Sequence, residues 1–493
     1  MKKFTKENIK IRLTEPPPTL FGKLNGGEVY DEFSKARLPD RATPTIEANI
    51  RNSGYKNVKT VHAKKGVYSK KDMYDMFNSD VLLIGYITRT ANQSLELIKL
   101  SRRKNPQQLI IVGGPHSTFT PREAINAGAN IEVGREGEIV IREILKEYLK
   151  KGTISNNITP IRKLLTEEEL NNLPHPYYDK ETRNHANIGV IETTRGCPNN
   201  CDFCEVTQFY GGIYRRKSIE WIVKERKRIN NMFKGNVYFF TDDNIVGNLD
   251  HKNPIVVKKS IDRFRELSYA FRKNGFNKSF NIAQITSKGA YFPEVIEGLK
   301  ELGIDMLCIG LESMNPETLK ELGKPYSVCE NQDAVIIYRK SGLRVHGMIM
   351  IGPKDGRSYI KWLSKWINNN LDSVQIFPVV DLPGTKFSKR MSEEGRILSS
   401  KYYLRDGHHV VIKPDKNLPK NERMTAYEQQ IEIVKMYKKF YSFKNSFKRF
   451  IRAKHKKVSL GLLLYTLFGG VRKIANSKQS KAHLKFLKRL DGF

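Results

Sequence analysis

Cysteine is scarce in this 493-residue chain: there are five, and three of them fall within eight residues. Such a set makes no disulfide framework and points to a reducing, cytosolic setting. Long apolar runs are missing too, since no stretch approaches the roughly eighteen apolar residues of a membrane span. The opening MKKFTKENIKIRL lacks the apolar core of a signal peptide, so export is not expected. Acidic residues are the third shortage: 52 Asp and Glu face 86 Lys and Arg, a formal charge of +34. An excess of that size implies an anionic partner, an anionic membrane surface or a solvated lysine-rich exterior. No RNA-binding module and no basic sheet interleaved with aromatics is visible, so nucleic acid is not the expected partner.

What is present suits a globular protein of two or three domains, with 39% apolar and 28% charged residues. Over the first 150 residues short apolar strands (IKIRL, VKTVHA, DVLLIGYIT, QLIIVGGP) alternate with amphipathic helical segments (TIEANIRNSG, SLELIKLSRRK). That alternation predicts a parallel sheet covered on both faces. The polar, Pro-containing stretch TEEELNNLPHPYYDKETRNH then reads as a linker. Beyond it NIGVIETTRG, VYFF, FNIAQIT, MLCIGLES and HGMIMIGP read as further buried strands.

The cysteine triplet Cys197, Cys201 and Cys204 stands in TTRGCPNNCDFC. Three thiolates on one loop can hold three irons of a four-iron, four-sulfur cluster and leave the fourth iron open for chemistry. An electron-transfer ferredoxin needs a fourth nearby cysteine, and Cys308 and Cys329 lie more than a hundred residues on. A structural zinc site is the plain alternative; it would recruit a distant Cys or His. Cys308, within MLCIG, reads as a buried structural thiol, and Cys329 has no assigned role.

The CxxxCxΦC spacing, with Phe203 before Cys204 and an apolar strand ahead of it, resembles the radical S-adenosylmethionine (SAM) superfamily. That resemblance implies a partial (β/α)6 barrel, a 4Fe-4S cluster on Cys197, Cys201 and Cys204, and SAM chelated at the open iron and cleaved to a 5′-deoxyadenosyl radical. It also implies an electron donor such as a ferredoxin or flavodoxin. The segments GGPHSTFTPREAI and VGREGE resemble the cobalamin-binding, Rossmann-like domain that precedes the barrel in one subgroup. Gly113, Gly114 and His116 are its tentative cobalamin contacts. The DxHxxG loop that supplies an axial histidine to cobalt has no counterpart, which leaves open whether cobalamin is bound. For SAM, the resemblance points to Asp242 and Asp243 in TDDN, Gln284, Gly310 and Glu312 in IGLES, and Gly352 in MIGP. The alternative for TDDN is a turn or helix cap. The segment DLPGT resembles the strand end and turn that close the open side of the partial barrel.

The expected fold is therefore α/β: a cobalamin-binding-type domain over 1–155, a linker over 156–185, a radical SAM barrel over 186–395 and a basic, mainly helical region over 396–493. The last 63 residues carry 17 Lys and Arg against two acids. Within them KKVSLGLLLYTLFGGVRKI, with Leu462, Leu463, Leu464 and Phe468, suits either a helix lying in a lipid headgroup region or a core helix. The tail AYEQQIEIVKMYKKFYSFKNSFKRF is similar to an extension of lipid-modifying members such as hopanoid C-2 methylases, calditol synthase and tetraether ring synthases. The expected function is modification of an unactivated carbon of a membrane lipid by ring formation, carbon–carbon bond formation or methylation. The expected location is cytoplasmic, peripheral at the inner membrane face. Cobalamin-dependent methylation of a soluble metabolite or peptide is the alternative, and a non-catalytic binding protein is the third reading.

Overall fold

The computed structural model describes residues 4–17, 38–63, 67–154, 157–158, 163–233, 235–250, 252–452 and 478–490. Two six-stranded parallel sheets follow one another along the chain. The first contains β1 (Ile11–Thr14), β2 (Val58–Thr60), β3 (Val81–Gly85), β4 (Leu109–Gly113), β5 (Ile131–Val133) and β6 (Asn157–Ile158), in the order β2-β1-β3-β4-β5-β6. Successive strand side chains face opposite ways, and here both faces are apolar. Val81, Leu83, Leu109 and Ile111 enter one core, and Leu82, Ile84, Ile110 and Val112 enter the other. Helices α1 (Ala42–Asn52), α2 (Lys70–Phe77), α3 (Ala91–Lys104), α4 (Pro115–Phe119), α5 (Pro121–Ala127) and α6 (Glu138–Lys151) join the strands. Ile50 of α1 and Leu145 of α6 close the first core, and Met76, Leu97 and Ala124 close the second. Strand β6 falls two residues beyond the expected domain end at 155.

The stretch from 163 to 188 holds only α7 (Glu167–Asn171) and α8 (Lys180–His185). The second sheet is built from β7 (Gly189–Ile191), then, after a small hairpin of β8 (Thr194–Arg195) and β9 (Arg215–Arg216), β10 (Val237–Phe240), β11 (Phe280–Ile285), β12 (Ile304–Glu312), β13 (Arg344–Ile351) and β14 (Ser373–Pro378). Its order, β14-β13-β12-β11-β10-β7, leaves β7 and β14 as the two edges of a partial barrel. The sequence predicts one strand over 187–196; the structure has β7 and then β8, which pairs antiparallel with β9 across the cysteine loop.

Helices α9 (Glu205–Tyr210), α10 (Ile219–Met232), α11 (Pro254–Lys273), α12 (Pro293–Glu301), α13 (Pro316–Glu321), α14 (Val328–Lys340) and α15 (Arg357–Asn370) connect these strands. In β10, Tyr238 and Phe240 are buried toward the helices while Val237 and Phe239 face the barrel interior. After β14 come α16 (Lys386–Glu393), α17 (Ala426–Phe440), α18 (Phe443–Arg452) and α19 (Lys478–Leu490). Helix α17 covers the edge strand: the N–H of Ile376 donates to the Tyr437 hydroxyl at 2.7 Å, and the Tyr441 hydroxyl donates to the Val374 carbonyl at 2.8 Å. These contacts satisfy backbone groups that an edge strand would leave open. Among the described residues no helix is long and apolar enough to cross a membrane. The expected interfacial segment with Leu462, Leu463, Leu464 and Phe468 lies outside the described residues.

Candidate functional site

The cysteines occupy the connection that leaves β7, and several independent contacts fix its entry. Both carboxylate oxygens of Asp242 are taken up there. They accept from the backbone N–H groups of Thr193 (2.8 Å) and Thr194 (2.5 Å) and from the two threonine hydroxyls (2.9 and 3.0 Å). Gly196 follows with φ of 89°, and a Cβ there would sit 2.2 Å from the Ile213 carbonyl oxygen. Only glycine accepts both conditions. On the far side, Asp202 donates its N–H to Leu322 and accepts from the N–H of Phe387, each at 3.0 Å. Phe203 packs with Leu322, Val379 and Phe387.

Cys201 is buried, Cys197 and Cys204 are partly buried, and none is in a disulfide. Burial pushes the Cys197 thiol up to about 12 and the Cys201 thiol up to about 11. Thiolates in this loop therefore need a cation close by. No three His, Cys, Asp or Glu among the described residues converge to hold a single metal ion. A four-iron cluster needs no such convergence, because each thiolate binds a different iron, so the donor set fits that group.

The other expected SAM residues divide. Asp243 faces a cavity of about 490 Å³, and Asp242 does not line it. Burial, then the charge of Asp242, raises the Asp243 carboxyl to about 7. Gln284 donates to the Asp242 carbonyl at 3.1 Å and accepts from the N–H of Ile245 at 3.0 Å, which braces the strand end. Glu312 sits in the left-handed region, φ 58°, with its carboxylate 2.9 Å from Lys324. Lys324 also reaches toward the Gly310 carbonyl at 3.5 Å. Burial alone would lower this ammonium; Glu312 and Cys201 outweigh it and hold the proton. Gly352 is enclosed in structure instead: its N–H donates to Asp355 at 2.7 Å, its carbonyl accepts from Gln429 at 3.0 Å, and a Cβ would strike Thr318.

The cavity lies where the carboxyl ends of the first sheet meet the cysteine loop. Gly85, Gly113, Gly114 and Gly137 line one side, and Glu205, Phe209, Tyr210 and Asp243 line the other. A Cβ on Gly85 would meet nothing within 4 Å, whereas one on Gly114 would lie 2.5 Å from the Tyr86 carbonyl oxygen. This backbone floor lets a flat cofactor approach the strand ends. Glu15 and Asp40, both on the lining, stand on either side in sequence of residues 18–37, which lie outside the described residues. His116 is not on the lining. It is fully buried, with its ring nitrogens 3.1 Å from the Thr88 hydroxyl and 3.4 Å from Glu123, and its ring edge-on to Tyr402. The expected contact from His116 is thus turned into packing, and among the described residues no histidine lines the cavity.

Sequence reasoning missed a buried ion network that joins the two sheets. Arg195 meets Glu136 at 2.7 Å, Glu138 at 2.8 Å and Glu192 at 3.1 Å. Glu136 also pairs with Arg215, and Lys217 meets Glu192 at 2.7 Å. The signal was present in the charged residues of TTRGC and VGREGE, but neither segment names its partner. Glu205 was missed as well; burial raises it to about 7 against the hydroxyl of Thr88.

Residues 191–367 match the family described as the radical SAM superfamily. The bacteriochlorophyllide d C-8(2)-methyltransferase of Chlorobaculum tepidum is 25% identical over 432 residues, 84% of this chain and 87% of that protein. The hopanoid C-3 methylase of Methylococcus capsulatus is 24% identical over 362 residues, 70% of this chain and 66% of that one. The solved structure of OxsB, a cobalamin-dependent SAM radical enzyme with aqua-cobalamin and SAM bound, is similar in fold at 14% identity. Its TM-score is 0.64 over 99% of this chain and 76% of that one. From the matched barrel residues and the sheet that precedes them, the chain is a radical SAM enzyme whose first domain shares the fold of OxsB, with methyltransferases among its relatives.

Proposed function

We propose that the chain transfers a methyl group to an unactivated carbon of a membrane lipid. Cys197, Cys201 and Cys204 hold the 4Fe-4S cluster, and Asp243 accepts the amino group of SAM. Gln284, Gly310, Glu312 and Lys324 shape the rest of the SAM site. The cluster and SAM supply a radical able to take hydrogen from an inert carbon, and cobalamin supplies the methyl group. The chain's own residues hold these parts together. Asp242 fixes the entry of the cysteine loop, Gly85, Gly113 and Gly114 leave room on the sheet side, and Phe209 and Tyr210 exclude water from the space between.

The observation that carries this reading is the cavity itself, which the glycine-lined sheet end shares with Asp243 beside the cysteine loop. The lipid assignment is supported by the hopanoid methylase among the relatives and by the basic C-terminal region. A soluble substrate is the second reading, favoured by the polar lining residues Glu15, Asp40 and Thr43. Reconstituted protein, incubated anaerobically with a reductant, total lipid extract and methyl-labelled SAM, should give a lipid heavier by one labelled methyl. A lipid that loses two hydrogens without gaining carbon would replace methylation with ring or bond formation, and label found only in soluble compounds would remove the lipid.

A further inference from the structure

Two neighbouring helices of the barrel's flank carry exposed aromatic side chains. On α18 the exposed positions are Phe443, Lys444, Phe447, Lys448 and Ile451, a single stripe in which Phe443 is 54% and Phe447 43% exposed. The inward positions are small or bonded: Ser446 is buried, and Arg449 lies over the Phe440 ring at 3.8 Å. A water-facing surface helix normally shows the opposite arrangement. On α15 Trp362 is 42% exposed and stacks on Trp366, with Lys361 and Lys365 exposed beside them. The two helices are bonded to each other through Asn445 and Asn368 at 3.0 Å. Trp362 therefore stands on this face with Trp366 half-buried behind it against the core, and neither helix contains an acidic residue.

We propose that this face of α15 and α18 docks the protein onto an anionic lipid bilayer. Tryptophan and phenylalanine rings beside lysines match the headgroup level, where the rings bury and the ammonium groups stay with the phosphates. The charge is of one sign, which an anionic surface complements and a second copy of the chain would not. The face lies on the barrel's flank and base. Asn445 meets the end of α15, which leads into the amino end of β14, while the cysteine loop leaves the carboxyl end of β7. This rests on the membrane-lipid reading and gives it a docking surface among the described residues.

The test uses the full reconstituted chain in co-sedimentation with vesicles, which needs no turnover. Binding to phosphatidylcholine vesicles should be weak, should rise with added phosphatidylglycerol and should fall with salt. The pair Lys444→Glu and Lys448→Glu should weaken binding about tenfold or more at low salt. The pair Trp362→Ser and Phe447→Ser should weaken it at every salt concentration, while cleavage of SAM stays at the wild-type rate and shows that the exposed changes leave the fold intact. Equal binding by wild type and both variants would overturn the proposal. So would saturable binding to RNA without vesicle binding, or a dimer that the aromatic pair abolishes. Label recovered only in soluble compounds, together with vesicle binding as expected, would refute the lipid substrate and leave the docking face standing.

Discussion

Asp242 and Asp243 are adjacent in sequence and opposite in duty. Side chains alternate along a strand and its extension, so Tyr238, Phe240 and Asp242 are buried together while Asp243 faces the cavity. The motif was legible in the sequence; the division of labour was not, because it depends on which parity faces the helices. Asp243→Asn should leave iron content unchanged and weaken SAM binding, as read by isothermal titration. Asp242→Ala should instead lower iron incorporation, since it leaves four donors of the cysteine-loop entry unpaired, at about 1–3 kcal/mol for each buried group. Equal effects of the two substitutions on SAM affinity would contradict this separation. Replacing Cys197, Cys201 or Cys204 singly by Ala should abolish formation of 5′-deoxyadenosine under anaerobic reduction, because two thiolates no longer define one open iron.

At the scale of elements, the β8–β9 hairpin escaped sequence reasoning because the run NIGVIETTRG shows no break. The break comes from outside, where Asp242 draws Thr193 and Thr194 away from the line of β7. Gly196→Ala should cost well over about 1 kcal/mol, seen as a lower melting temperature with a parallel fall in iron per chain. The last helix carries a pH dependence of its own. His483 is buried against His409, with its Nε2 3.0 Å from the Val410 carbonyl, and burial, then His409, lowers it to about 3. A lowered histidine stabilises the fold in full above its ordinary value near 6.5, and that contribution is lost as pH falls below it. The protection of α19 amides against exchange, relative to their intrinsic rates, should therefore fall between pH 7 and 5 more than that of α17, and His483→Phe should flatten the difference.

For the whole molecule, alternating strands and helices made both sheets legible, and the cysteine spacing pointed to the candidate site. The contact between the sheets was not legible, because charged residues distant in sequence give no sign of their pairing. Arg195 and Arg215 share Glu136, whose side chain is only 2% exposed. Glu136→Ala would leave two buried guanidinium groups without their common partner, a loss of about 3–5 kcal/mol. Calorimetry should show it as separation of a single transition into two, one for each sheet, with Glu136→Gln falling between.

The DLPGT turn meets helix α4 of the first domain. Gly384 has φ of 80°, and a Cβ there would lie 2.2 Å from the Phe119 ring. Nearby, Asp381 is held by Arg405 at 2.7 Å, and Tyr402 bonds Glu123 at 2.8 Å. The two halves are thus fitted like a key cut for one lock. A hybrid gene that joins residues 1–155 to a relative's barrel should give insoluble or poorly assembled protein. It should be rescued when the acceptor's turn and the segment carrying Tyr402 and Arg405 are exchanged along with the sheet.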